Sequence, residues 1–239
     1  MAAGHRLPDL PALVHGRERD GVGDLSGIIQ RLDYLHASRI GAAQARVAAM
    51  LLLTLRGTPT LYYGDEIGIE DVPIPPERVQ DLWEKNVPGL QLGRDPKRTP
   101  MQWDDTPNAG FSTHVPWLPV ADDYRIVNVA SERRETRSIL NLYRQLIELR
   151  RSLSALAVGD YRGIHGESDL LCYLHVYRGQ HIGVALNLGS EPLRFKLPSG
   201  GGQLLLSTNL DREAEPVKTR LELQGNEGLV VELEPQRAL

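Results

Sequence analysis

The sequence predicts an α+β fold in which helices and a short strand come first and an antiparallel β-sandwich comes last. Three observations predict it. The run from Ala42 through Arg56 is rich in alanine and leucine and is stopped by Gly57 and Pro59, with Thr60–Tyr63 reading as a strand directly behind it. A second run, Glu135 to Leu156, sets Ile139, Leu142, Tyr143, Leu146, Ile147 and Leu149 on one helical face. Beyond Ala157 the pattern changes: Asp169–Tyr177, His181–Leu188, Pro192–Lys196, Gln203–Ser207 and Leu229–Leu233 alternate or are β-branched, with Gly, Ser and Pro between them.

Taken in order, residues 1–19 carry prolines and charges without a sustained period and are expected to be irregular. Asp24 or Ser26 can cap a helix that lines up Leu25, Ile28, Ile29, Leu32 and Leu35. The helix over 42–56 and the strand behind it repeat the order of an outer helix and an inner strand in an α/β barrel. Residues 64–134 form a long stretch rich in Pro, Asp and Gly, which in a compact protein is a functional loop or a disordered one. Trp83, Trp103 and Trp117 argue for order, because such side chains call for a packed surface. Three regions follow: 1–19, 20–156 and 157–239.

Composition narrows the function. The 239 residues are 41% hydrophobic, enough for a real core, and the formal net charge is -4 with both signs interspersed. Neither a nucleic-acid partner nor an anionic membrane surface is expected from such a field; small neutral substrates fit better. Cys172 is the single cysteine and cannot form an internal disulfide, so a reducing compartment is expected. The longest apolar run, Val47 to Leu55, is too short for a bilayer, and the first residues lack the hydrophobic core of a signal peptide, so a cytoplasmic location is expected.

Two segments resemble a known family. Arg56-Gly-Thr-Pro-Thr-Leu-Tyr-Tyr-Gly-Asp-Glu-Ile-Gly68 is similar to the last barrel strand of the α-amylase superfamily and the loop after it. Arg94-Asp-Pro-Lys-Arg-Thr-Pro-Met-Gln-Trp-Asp-Asp105 resembles a motif of its α-glucosidase and oligo-1,6-glucosidase branch. The resemblance covers about Ala37 to Leu239 and implies a remnant of a (β/α)8 barrel followed by the family's β-sandwich. Asp20 to Leu35 resembles the family's first barrel helix, which in an intact relative lies far along the chain from Ala37-Ser-Arg-Ile-Gly41. A full barrel takes about 250 residues, so residues 20–156 hold only an incomplete one, namely a first helix and a last helix–strand–helix. One allowed back-translation of Pro8 to Arg19 resembles the family's first strand in another frame, as a frameshift before Asp20 and a deletion after Leu35 would leave it.

The resemblance implies a glycosidase that hydrolyses α-glucosidic bonds in short oligosaccharides. Retaining hydrolysis requires a carboxylate nucleophile and a carboxylic acid about 5 Å apart. The family draws both from middle barrel strands with no counterpart here, and its Asn-His-Asp motif is absent, so no catalytic residue is assigned. Asp33 reads as an ordinary helix residue. Arg98, Gln102 and Trp103 are the candidate substrate contacts, with Arg binding hydroxyls and Trp stacking on a sugar ring. Asp20, the Val22 carbonyl and Asp24 match a calcium loop, but Gly16 and Glu18 stand at its two preceding ligand positions, so any site is weak. No other cofactor is expected. Asp65 and Glu66 are adjacent and read as loop anchors; His165, His175 and His181 lack metal-ligand spacing. The expected protein is inactive alone, with self-association through the exposed barrel remnant; the alternative is a non-catalytic module that binds carbohydrate or a partner chain.

Overall fold

The computed structural model describes residues 37–90, 93–167, 169–197 and 200–234. The helix expected over 25–35 and the calcium-loop residues Asp20, Val22 and Asp24 lie outside them. The described chain divides into two compact units. One, here the sheet unit, takes 42–59 together with 142–234; the other, the loop unit, takes 37–41 together with 60–141.

Helix α1 spans Ala37–Thr54 and is broken at Gly41, whose φ of 75° and ψ of 161° are not helical. From Ala42 onward it is buried on most sides, with Val47, Ala49, Met50, Leu51 and Leu53 all inaccessible. Such a helix needs packing around its girth. It ends where the sequence places a stop, at Gly57 with φ 118°, and its terminal carbonyls have an unusual cap. The guanidinium of Arg150 donates to the Leu53 and Leu55 carbonyls at 2.9 Å each and to that of Gly57 at 2.5 Å. A cation at a helix C-terminus meets the negative end of the helix dipole as well as orphan acceptors.

The expected single helix over 135–156 is instead two pieces, the last two of the four helices that follow α1. α2 is a short turn at Leu82–Asn86, α3 spans Val129–Arg134, α4 Ile139–Ser152 and α5 Ser154–Val158. The physical cause is capping. Asn128 accepts from the Ser131 N–H and starts α3, while Ser138 accepts from the Asn141 N–H and starts α4. Leu153, extended at φ -101° and ψ 101°, separates α4 from α5. Leu142, Tyr143 and Leu146 form the buried stripe of α4.

Eight strands follow: β1 Asp160–Glu167, β2 Leu170–Tyr177, β3 Gln180–Asn187, β4 Leu193–Lys196, β5 Gly202–Ser207, β6 Pro216–Val217, β7 Arg220–Leu223 and β8 Gly228–Leu233. Six build one antiparallel sheet in the order β1-β2-β3-β8-β5-β6, and β4 pairs with β7 as a separate ribbon. Alternation decides the layers. Leu170, Cys172, Ala185, Leu204, Leu229 and Val231 point from the large sheet into a cluster with Leu221 and Leu223 of the ribbon. The opposite face carries Leu171, Tyr173 and His175 of β2, and there the Tyr173 hydroxyl meets Thr54 Oγ1 of α1 at 2.5 Å. Arg46 Nε donates to the Thr208 carbonyl at 2.7 Å. Gly228 is required where α1 crosses β8, since a Cβ there would come within 2.8 Å of Met50 Sδ. The expected sandwich is therefore two antiparallel layers with a helical layer on the far face of the larger sheet.

The strand expected at Thr60–Tyr63 does not form: Tyr63 and Gly64 take a turn, and Leu61, Tyr62 and Tyr63 are exposed. A strand needs a neighbour to bond with, and no described strand pairs with this segment. No helix among the described residues is long and apolar enough to cross a membrane.

Candidate functional site

The candidate substrate contacts Arg98, Gln102 and Trp103 lie in the loop unit, where the chain holds its shape with short turns pinned by carboxylates. Its apolar centre is small: Ile67, Met101 and Val129 are buried, with Ile69 and Leu140 against them. Polar staples do the rest. Asp95 is buried, and its Oδ2 accepts from the N–H groups of Gln80 at 2.5 Å and Asp81 at 2.8 Å. Asp81 in turn caps α2 through the Trp83 N–H at 2.8 Å and accepts from the Arg94 N–H. Glu84 accepts from the N–H groups of Gly89 and Gly93. Buried or half-buried backbone donors without secondary structure need such acceptors.

Arg98 closes the short 3-10 turn Asp95–Lys97. Its side chain is half exposed, with Nη1 4.0 Å from Asp81 Oδ2. The Trp83 N–H first, then other backbone donors and the Arg98 charge, hold the Asp81 carboxyl below its ordinary range. Arg98 also faces Tyr63, whose phenol donates to the Thr99 carbonyl at 3.0 Å. Burial raises the Tyr63 pKa, the neighbouring Tyr62 adds to this and Arg98 works against it.

Gln102 and Trp103 sit side by side and face opposite ways, as neighbours in an extended segment must. Gln102 is buried, and its Nε2 donates to the Val127 carbonyl at 2.6 Å and to Asp123 Oδ1 at 3.3 Å. Its carbonyl accepts from the Val129 N–H at 2.9 Å. Both ends of the residue thus clamp the 123–129 turn. Trp103 is 48% exposed and is held by its backbone, which donates to the Ala109 carbonyl at 2.8 Å and accepts from the Ala130 N–H at 3.0 Å. The Ala109 carbonyl also takes the Asp104 N–H. That turn keeps Asn108 and Ala109 at φ 56° and 57°, in the left-handed region that side chains enter at a cost of about 1–2 kcal/mol per residue. Asp104 accepts from the Thr106 hydroxyl and N–H, which lower its pKa in that order.

Gln102 and Trp103 therefore share one segment, whereas Arg98 is paired toward Asp81 and no described hydrogen bond or ion pair joins it to them. Asp65 and Glu66 lie on a 3-10 turn rather than a strand, between Gly64 and Gly68 in left-handed conformations. Glu66 Oε2 accepts the Gly64 N–H at 2.7 Å, so this carboxylate closes its own turn. His175 is fully buried in the sheet unit, and Cys172 is buried there with its thiol pushed up to about 12 by desolvation. Among the described residues no group of His, Cys, Asp and Glu could hold a metal ion. The staples at Asp95, Asp81 and Glu84 escaped sequence reasoning, because their partners lie up to 15 residues away with no periodic signal connecting them.

An exposed indole and a half-exposed guanidinium are side chains that can stack on sugar rings and donate to hydroxyls. The carboxylates at 66, 81, 84, 95 and 104 are occupied in bracing backbone.

Comparison with known proteins agrees with the two sequence motifs. Residues 37–159 match the α-amylase catalytic-domain model. The chain is 32% identical over 207 residues to an oligo-1,6-glucosidase of Halalkalibacterium halodurans, an alignment covering 78% of this chain and 37% of that protein. It is 34% identical over 164 residues to a glucan 1,6-α-glucosidase of Streptococcus pneumoniae, covering 62% of this chain and 31% of that one. Among solved structures, trehalulose synthase MutB of Pseudomonas mesoacidophila MX-45 superposes with a TM-score of 0.73 at 30% identity, covering 83% of this chain and 41% of the synthase. A mutant of MutB has been solved in complex with its substrate sucrose. The chain thus spans about a third of the curated relatives it matches.

Proposed function

The chain belongs to the α-amylase family, and from that premise we propose that it is an α-glucosidase by descent which does not catalyse hydrolysis alone. The ancestral reaction is cleavage of α-glucosidic bonds in short oligosaccharides by double displacement. One carboxylate attacks the anomeric carbon while a carboxylic acid protonates the departing oxygen. The observation that carries the reading is the partial match, residues 37–159 of the catalytic-domain model and 37% of the oligo-1,6-glucosidase, within which Asp81, Asp95 and Glu84 serve as acceptors for backbone N–H groups. The relatives' names support the substrate class, since they include enzymes of oligo-1,6-glucosides and a synthase that takes sucrose.

In this reading Arg98 and Trp103 are the sugar contacts, and Gln102 positions Trp103 by clamping the 123–129 turn beneath it. The Asp20, Val22 and Asp24 loop holds calcium weakly at best. Purified protein assayed on p-nitrophenyl α-glucoside and on isomaltose is expected to show no turnover above a mock purification. Turnover that survives that control and rises with protein concentration contradicts the reading.

The exposed Trp103 favours a second reading, in which the chain keeps sugar binding without catalysis. Calorimetry with maltose is expected to give heat that Trp103→Ala abolishes; no heat at millimolar sugar removes this reading and leaves the first intact.

A further inference from the structure

The turn beside Trp103 holds a backbone conformation that one of its side chains resists. Asn108 and Ala109 lie at φ 56° and 57°, and Gly110 follows at 64°. Asparagine tolerates the left-handed region and glycine enters it freely, but alanine adopts it only where its surroundings over-determine the backbone. Such outliers gather where a protein keeps a ligand contact preformed. Several ties hold this one. The Ala109 N–H donates to the Thr106 carbonyl at 2.9 Å and the Phe111 N–H to that of Asn108 at 3.0 Å. The Asn108 side chain reaches forward, its Nδ2 donating to the Ser112 carbonyl at 3.0 Å and to the His114 carbonyl at 3.2 Å. The Asp104 carboxylate, fixed by the Thr106 N–H and hydroxyl, lies so close to Gly110 that a Cβ there would fall 2.7 Å from it.

What the turn delivers is the Ala109 carbonyl. Ala109 is wholly buried, and its carbonyl accepts the Trp103 N–H at 2.8 Å and the Asp104 N–H at 3.3 Å. The main chain of Trp103 is thereby fixed while its indole stays exposed. Ordering the backbone under an exposed ring gains little burial, but it lowers the ordering cost when a flat ligand stacks there. We infer that Asn108 is a positioning residue for the Trp103 indole: its amide holds the left-handed turn whose Ala109 carbonyl sets Trp103 to stack on a pyranose ring. The inference rests on the sugar-binding reading above, and Asn108 itself needs no contact with the sugar. The position calls for two properties at once, tolerance of the left-handed region and a side-chain donor that reaches carbonyls four and six residues on. Glycine supplies only the first, ionised aspartate keeps the shape but cannot donate, and alanine supplies neither.

The test uses the full chain labelled with 5-fluorotryptophan, the Trp103 resonance being assigned with Trp103→Phe. Asn108→Asp and Asn108→Gly are expected to shift or broaden that resonance while the Trp83 resonance and the far-UV circular dichroism stay as they are. Maltose titration is followed on the same resonance. Both variants are expected to bind about three- to tenfold more weakly than the unmodified chain, the worth of one hydrogen bond, and Asn108→Ala more weakly still. An Asn108→Asp chain whose Trp103 resonance and maltose affinity match those of the unmodified chain overturns the inference. So does a Trp83 resonance that moves as far as that of Trp103, the mark of a residue that merely holds the loop unit together. If maltose moves no resonance of the unmodified chain, the sugar-binding reading fails by itself, and the Trp103 shift in Asn108→Asp still decides whether Asn108 orients the indole. A maltose response that Asn108→Asp leaves unaltered keeps sugar binding and removes the role of Asn108.

Discussion

Tyr173 and Trp117 are large aromatics of one chain, yet the first is wholly buried and the second is 75% exposed. The sheet unit owns every layer its strands require: the ribbon β4–β7 covers one face of the six-stranded sheet, and α1 covers the other through Thr54 and Met50. The loop unit has a much smaller apolar centre, at Ile67, Met101 and Val129, and keeps its shape by carboxylate-to-backbone bonds. The difference teaches that a segment can hold a defined shape without hiding its apolar surface, provided its polar groups are satisfied.

The largest expected effect is on the sheet unit. Tyr173→Ala removes a fully buried ring and the hydrogen bond to Thr54, and is expected to cost about 3–5 kcal/mol in urea unfolding. A loss below about 1 kcal/mol would show that α1 does not rest on this sheet face.

Acid is the next lever. His175 is fully buried between the rings of Tyr161 and Tyr173. Desolvation, aided by the charges of Arg150 and Arg56 and opposed by the backbone of Thr54, lowers its pKa to about 4. The unfolded chain binds this proton near pH 6.5. The folded protein therefore keeps the full contribution above about 6.5 and loses it as pH falls toward about 4, on the order of 3 kcal/mol in all. His175→Phe is expected to flatten the pH dependence of the unfolding midpoint over that window, and an unchanged slope would assign it to other groups.

Arg150→Ala uncaps the end of α1 by removing donors to three carbonyls. A loss of about 1–3 kcal/mol is expected, with hydrogen exchange rising first at Leu53 to Gly57. Smallest of all, Trp117→Ala is expected to change stability by less than about 0.5 kcal/mol while reducing aggregation at high concentration. A large destabilisation would mean that the indole is packed and the two units are more alike than described.

The sheet unit was the more legible half. Alternation in 169–177, 181–188 and 229–233 announces β2, β3 and β8, and Gly57 with Pro59 announces the end of α1. β1 was hidden because Gly163 and Gly166 weaken any strand signal; it forms because β2 offers it an edge. β7 alternates correctly but is four residues long. The loop unit was legible only as motif. Nothing local in Gln102 reveals that its amide is spent on Val127, 25 residues on, or that Asp95 holds Gln80 and Asp81. The strand expected at Thr60–Tyr63 shows the opposite limit: the local preference of these residues is overridden, and Tyr63 and Gly64 take a turn instead.

All three tryptophans lie in the loop unit, so their emission reports on it alone. Acrylamide quenching of the native chain, at a concentration where ultracentrifugation finds monomer, is expected to approach that of the urea-unfolded chain. Strong protection from quenching in that monomer would contradict the open face on which this account of the loop unit depends.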